Sequence, residues 1–332
     1  MLDIDNKTPF AAQYVLLPTP QGVDTLYVIV KASFNIGKQW TLADEQLPPL
    51  LEDAYWGEPG ASSIQFPTDV HTGKPTTDIA VLGNACGAEG RSQQVLDVSV
   101  RVANCKKVLR VFGDRTWDNG RITPAASFTT LPIRYEYAFG GQYWNAHELI
   151  GLEARNPVGK GYSGARKASN MNGQSLPNIE TPRQLIRHPN DTPEPAGFGF
   201  IAPNWHPRAQ YAGTYDEHWQ QTRAPYPPAD YQPRFLNAAH PDLVSTTYLT
   251  GGEPVELVNM HPAGPLQFVL PRVGLGGKVR FSGLSSSTLQ FNMETVVIDV
   301  ENMQLLLTWK AACVVNNAFP RLRAVTVNLS HA

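Results

Sequence analysis

Charge is scarce in this chain, and so are cysteine and long apolar runs. Asp, Glu, Lys and Arg make up 17% of the 332 residues, against about a quarter in an average globular protein. The formal net charge is −2 and no basic run is longer than two residues. Nucleic-acid binding driven by counterion release needs a basic face, so that class of function is excluded. Lys106-Lys107 and Arg321-Leu-Arg323 read instead as polar faces of strands. Three cysteines, Cys86, Cys105 and Cys313, are odd in number, far apart and free of C-x-x-C spacing. A disulfide framework and a zinc knuckle are therefore not expected, and buried thiols in a reducing compartment are. No apolar stretch approaches the length of roughly 18 residues that a membrane-spanning helix needs. Met1-Leu-Asp-Ile-Asp5 carries two acids where a signal peptide has its basic region, and the expected location is the cytoplasm.

Glycine (27) and proline (28), by contrast, are frequent, and hydrophobic residues reach 42%. That mixture predicts many short elements joined by structured turns rather than disorder or long helices. The first strand falls at Leu26–Phe34, with Leu26, Val28, Val30, Ala32 and Phe34 on one face and Lys31 and Ser33 opposite. Val95–Val102 alternates with Leu96, Val98, Val100 and Val102 inward, and Lys107–Phe112 returns as a hairpin partner. Thr77–Leu82 and Ile133–Phe139 are further candidates. Beyond residue 236, strands are expected at Val255–Met260, Leu266–Leu270, Lys278–Phe281, Thr288–Met293, Val296–Val300, Gln304–Lys310 and Arg321–Leu329. The fold class is all-β, mainly antiparallel and sandwich-like, with a long loop-rich insertion and few short helices. A single β-rich unit is expected, with an N-terminal sheet region (1–141), an aromatic excursion (142–235) and a C-terminal sheet region (236–332).

Two short helices are signalled inside the excursion. Thr181-Pro182 supplies an N-cap and a first-turn proline for Arg183–Arg187. Thr214-x-x-Glu217 reads as a capping box before His218–Thr222, which Pro225 stops. Trp144, Phe198, Phe200, Trp205, Tyr211, Tyr215 and Trp219 need a surface to pack on, so the segment is an ordered layer over the sheets.

No motif demands reaction chemistry. Asn156-Pro-Val-Gly-Lys-Gly161 lacks the phosphate-loop spacing, and Gly161 stands where a serine or threonine would hold magnesium. It reads as a glycine-shaped loop with Lys160 exposed or paired. Gly274-Leu-Gly-Gly-Lys278 places Val279 where the dinucleotide fingerprint needs glycine. Gly161-Tyr-Ser-Gly164 is one residue short of a nucleophile elbow, which leaves Ser163 without that role. His188, His206, His240 and His261 each precede a proline, so they read as loop histidines whose tips bond locally rather than as metal ligands. No cofactor, metal or catalytic residue is implied.

The segment Tyr231–Pro271, with Asn237-Ala-Ala-His-Pro-Asp242 and Gly251-Gly-Glu-Pro254, stands beside Asn156–Gly161 and Gly197-Phe-Gly-Phe200. As a set these motifs resemble the uncharacterised-domain family encoded beside type VI secretion effectors, from Asn6-Lys-Thr-Pro-Phe10 to about Leu270. The resemblance implies a non-enzymatic adaptor or chaperone. Its partner would be an effector with a PAAR-type tip domain or N-terminal loading region, and the spike protein onto which that effector is loaded. Aromatic rings suit such binding, and Trp205, Tyr211, Trp219 and Lys160 are the expected contact residues. A hydrolase on a β scaffold and a carbohydrate-binding sandwich are the alternatives. The first would show converging titratable groups, and the second a flat aromatic platform.

Overall fold

The structure is a computed structural model that describes residues 3–164, 166 and 170–330. Met1 and Leu2, which begin the N-terminal stretch read above, lie outside the described residues. Strands dominate and helices are few and short. The largest sheet has six strands. Ala11–Pro18 pairs with Asp24–Asn35, then come Gln304–Val314, Asn292–Asp299 and Asp78–Leu82, with Thr41–Leu42 also on Asp24–Asn35. All these contacts are antiparallel except that between Asn292–Asp299 and Asp78–Leu82. Two strands from late in the sequence therefore lie between strands from its first part in one sheet. A second sheet runs Ile179–Glu180, Cys105–Phe112, Val95–Val102, Pro254–Val258 and Leu266–Val269. A third joins Ile4–Asn6, Leu322–Leu329, Leu275–Phe281 and Ser287–Leu289. The fold is all-β and mainly antiparallel, as expected, with three principal sheets whose apolar faces share one core, including Val28, Val100, Ile298 and Val325.

Asp24–Asn35 departs from the expected alternation. Every residue from Thr25 to Phe34 is buried, including Lys31 and Ser33. The strand is covered on both faces, so the polar residues of the second face are interior rather than wet. Val95–Val102 keeps its alternation, with Val98, Val100 and Val102 buried, and a turn at Ala103-Asn104 returns the chain. Its partner brings a correction: Lys106 is exposed, but Lys107 is buried. Ile133–Phe139 is not a strand. A single 3-10 turn, Tyr135–Tyr137, separates the short ladders at Thr130–Pro132 and Phe139–Gly140. Thr288–Met293 is split between Ser287–Leu289 and Asn292–Asp299.

In the excursion, Thr181–Arg187 forms turns and no helix. The Glu180 carboxylate accepts from the Ile186 amide at 2.8 Å, which folds that segment back on itself. The helix Glu217–Thr222 is present, but Asp216 caps it by accepting from the Trp219 amide at 2.8 Å. Thr214 bonds to Asp230 instead. Asp competes well with Thr at this position, and its charge suits the helix N-terminus.

Candidate functional site

The three motif segments of the excursion and its C-terminal flank converge on Tyr135. Asn156 is fully buried, and its Nδ2 donates to the carbonyls of Tyr135 (2.7 Å) and Phe139 (3.0 Å). Gly140 holds φ +151°, and a Cβ there would fall 2.1 Å from the Asn156 carbonyl oxygen. Only glycine lets the two segments approach so closely. Gly197 abuts the Tyr135 ring from one direction, its missing Cβ being 3.0 Å from Cζ. Trp205 meets the same ring edge to face at 5.8 Å. Tyr135 is thereby locked, and its hydroxyl is buried without a hydrogen-bond partner among the described residues. Burial raises the phenol well above its ordinary value, and the nearby Asp242 carboxylate adds to this.

Above Tyr135 lies a half-open cleft of about 590 Å3, within the range of roughly 300–1,000 Å3 typical of ligand pockets. Its walls come from Glu153 and Arg155, from Glu194, from His206 and from His240–Asp242. The Arg155 guanidinium donates to both Glu153 oxygens at 2.7 Å. Lys107 Nζ donates to Asp242 at 2.9 Å and lies 3.1 Å from His240 Nε2. The Asp242 amide lies 3.2 Å from the other ring nitrogen. A neutral imidazole accepts at only one nitrogen, so one of these two contacts is satisfied at a time. Burial, then the Lys107 charge, lowers His240 to about 4, with Asp242 acting in opposition. Burial likewise lowers Lys107, against the hydrogen bond and charge of Asp242.

A buried ionic network on the large sheet anchors one wall. Asp78 accepts from Lys74 Nζ (2.7 Å), Asn237 Nδ2 (2.8 Å) and the Ala238 amide (2.8 Å). The start of the Asn237–Asp242 segment is thus tied to the sheet. Behind it, Lys31 pairs with Asp69 at 3.1 Å and Lys310 with Glu294 at 3.4 Å. Lys310 also lies 2.9 Å from His71 Nδ1 and donates to the Asp69 carbonyl at 2.9 Å. Burial lowers Lys310 to about 8, against the pull of Glu294. It also lowers His71, with help from Lys310 and Lys74, and raises Glu294. These groups face one another inside the protein and line no large opening, so they hold the fold rather than meet a ligand.

Of the expected contact residues, Trp205 is 3% exposed and belongs to the packing beneath the cleft, not to its rim. A ring held edge-on against Tyr135 and sealed from water cannot meet a protein surface. Tyr211 lines a smaller cavity of about 260 Å3 that shares Ile201, Pro207 and Pro241 with the cleft, and Arg234 stacks on its ring. Trp219 is half-buried, packs on Tyr215 at 4.6 Å and donates through its indole to the Tyr226 carbonyl. Lys160 is half-buried over the Tyr137 ring, 4.0 Å from Asp114, outside the cleft. Of the four proline-flanked histidines, His240 and His261 each have a ring nitrogen 3.2 Å from the amide two residues on.

A hairpin stands out on the surface. Gln142–Asn145 and Glu148–Leu152 pair with each other alone. Tyr143 and Gly151 lie opposite each other and meet Gly164 and Tyr162, which fixes the inner face. Trp144, opposite Leu149, is 51% exposed, and Leu149, Ile150 and Leu152 are 40–43% exposed. The second strand continues directly into Glu153 and Arg155 of the cleft wall.

Fold and surface together define an all-β protein with an apolar hairpin leading into a polar cleft. The chain belongs to a bacterial family described as "Uncharacterized protein conserved in bacteria (DUF2169)", which it matches over residues 21–310. Neither the curated proteins nor the solved structures offer a match. Among the described residues, no helix is long and apolar enough to cross a membrane.

Proposed function

We propose that this protein is a non-catalytic adaptor that holds another polypeptide, an effector of a type VI secretion system, through the hairpin Gln142–Leu152 and the adjoining cleft. The effector would present its PAAR-type tip domain or the segment that flanks it, and loading onto the spike protein would follow in the cytoplasm. The carrying observation is the outward row of Trp144, Leu149 and Leu152 on a hairpin whose inner face alone packs on the body. Exposed apolar clusters of this kind are characteristic of interaction sites, and tryptophan supplies much contact area at little entropy cost. The effector and secretion terms rest on the motif resemblance set out above. Specific complexes bury roughly 1,200–2,000 Å2, so the hairpin supplies the centre of the surface and the cleft rim completes it.

Co-expression with a type VI effector that carries a PAAR-type tip domain tests this directly. The wild-type protein should raise the effector's soluble yield and co-elute with it. The double variant Trp144→Ser, Leu149→Ser should lose that complex while melting within a few degrees of wild type. An effector that is equally soluble and equally secreted without this protein would overturn the adaptor reading.

A further inference from the structure

The smaller cavity beside the cleft is lined by two arginines and by no acid. The 3-10 turns Arg208–Tyr211 and Pro233–Leu236 lie side by side, joined where the Gln232 amide donates to the Tyr211 carbonyl at 3.0 Å. Arg208 clamps this region: Nε donates to the Phe235 carbonyl and Nη1 to the Ile201 carbonyl, each at 2.8 Å. Both acceptors are neutral. Its Nη2 has no hydrogen-bond partner among the described residues, yet it is not sealed from water. The Asp78 and Asp53 carboxylates act on Arg208 through space, without forming an ion pair. Asp78 is committed to Lys74 at 2.7 Å, and Asp53 accepts from the Thr68 amide at 2.7 Å. Burial outweighs both and lowers the Arg208 guanidinium from its ordinary value. Arg234, exposed at the rim, stacks 3.8 Å above the Tyr211 ring while Nε donates to the Gln232 side chain at 2.8 Å. Arginine stays charged at any working pH. A surface arginine with free nitrogens is ordinary, but two held in place around one concavity, one of them part-buried, make a cationic pocket with no matching charge on its walls.

We propose that this cavity is a carboxylate pocket, in which Arg208 and Arg234 grip one acidic group of the bound polypeptide, a glutamate side chain or a free C-terminus. Guanidinium forks match the two oxygens of a carboxylate, and such charge-assisted bonds are stronger than neutral ones. Main-chain carbonyls hold one fork and an aromatic ring the other, so little ordering remains to be done on binding. Ile201, Ala239 and Val244 give an apolar wall for the methylenes of glutamate or for a small terminal side chain. A volume of about 260 Å3 suits a group of that size. The inference rests on the adaptor reading for the source of the carboxylate. The cavity adjoins the cleft through Ile201, Pro207 and Pro241. The hairpin would supply area, and the pocket would set register by requiring an acid at a fixed distance from the apolar anchors.

The test uses the full chain and two pairs of peptides in calorimetric titrations. One pair is acetyl-Gly-Glu-Gly-amide and its glutamine counterpart; the other is acetyl-Gly-Gly-Leu with a free C-terminus and the same peptide amidated. In at least one pair the acid should bind at least about tenfold more tightly than its neutral partner, and the pair that shows this identifies the source. Arg234→Gln, a rim substitution that breaks no main-chain contact, should abolish the preference while melting within a few degrees of wild type. Arg208→Gln should abolish it too, with a lower melting temperature because two carbonyls lose their donor. Equal affinity within both pairs, or no binding of any peptide, overturns the pocket, as does an acid preference that survives in Arg234→Gln. Inorganic phosphate binding more tightly than either acid overturns the carboxylate assignment, and acetate binding as tightly as the peptides overturns the polypeptide source. None of these titrations needs the effector. A failed pocket with effector capture still lost in Trp144→Ser, Leu149→Ser leaves the adaptor reading standing. An intact acid preference beside an effector that is equally soluble and secreted without this protein overturns the adaptor reading alone.

Discussion

Lys31, Lys74 and Lys310 meet Asp69, Asp78 and Glu294 inside the protein, with His71 among them. All six charged side chains are nearly sealed from water. Removing one member leaves its partner as an uncompensated buried charge, which costs about 3–5 kcal/mol. Lys310→Met should therefore lower the unfolding free energy by about that much in urea titrations. The double variant Lys310→Met, Glu294→Leu should recover most of the loss, because the pair's desolvation disappears with it. His240 gives a pH signature. Its folded value, about 4, lies below the ordinary 6.5, so between these values the unfolded chain binds the proton more tightly than the folded one. Stability from this residue is full above about pH 6.5 and is lost as pH falls toward 4, by on the order of 3 kcal/mol. His71, also lowered, acts in the same direction, whereas the raised carboxyls of Glu294 and Glu180 act against it. The isolating measurement is the slope of unfolding free energy between pH 4 and 6.5, which should be shallower in His240→Asn than in wild type. An unchanged slope would assign the acid sensitivity elsewhere.

At the level of elements, period-two patterning located most strands, because alternation is written by the contrast between one wet and one dry face. It failed where both faces are dry. Lys31 within Leu26–Phe34 reads as a polar-face residue, yet it and Lys310 each stand in a largely apolar, buried run. That mismatch, a lone charge in a buried stretch, was the available signal for the ionic network. Asn156–Gly161 was legible as a glycine-shaped loop because its spacing failed every phosphate-binding pattern. What the loop is shaped around was not legible, since Tyr135 lies 21 residues away from Asn156 in sequence. The cleft shares this property: Glu153, Glu194 and Asp242 come from three loops that only tertiary structure brings together. Phe139–Gly140 and Lys160–Gly161 form the short parallel ladder that holds this loop under Tyr135. Gly140→Ala would push a methyl into the Asn156 backbone at a positive φ. It should cost roughly 2–5 kcal/mol in thermal or urea unfolding.

For the whole molecule, the decisive feature is that the ends of the chain complete its sheets. Leu322–Leu329 lies beyond the span of the family match. Even so, it sits between Ile4–Asn6, to which it runs parallel, and Leu275–Phe281, to which it runs antiparallel. Leu322, Val325 and Val327 are buried in the common core beside Val279, Leu289 and Val315. Fully burying a valine or leucine side chain contributes about 1.5–3 kcal/mol, so the three together approach the 5–15 kcal/mol that is the whole stability of a typical domain. A chain ending at Pro320 would also leave Leu275–Phe281 with an unpaired edge, which favours aggregation. That truncation should be found mostly in the insoluble fraction on expression. Any soluble portion should lose the cooperative unfolding transition of the full chain. A truncated chain that stays soluble and melts within a few degrees of the full one would show that the third sheet is an accessory to the core rather than part of it.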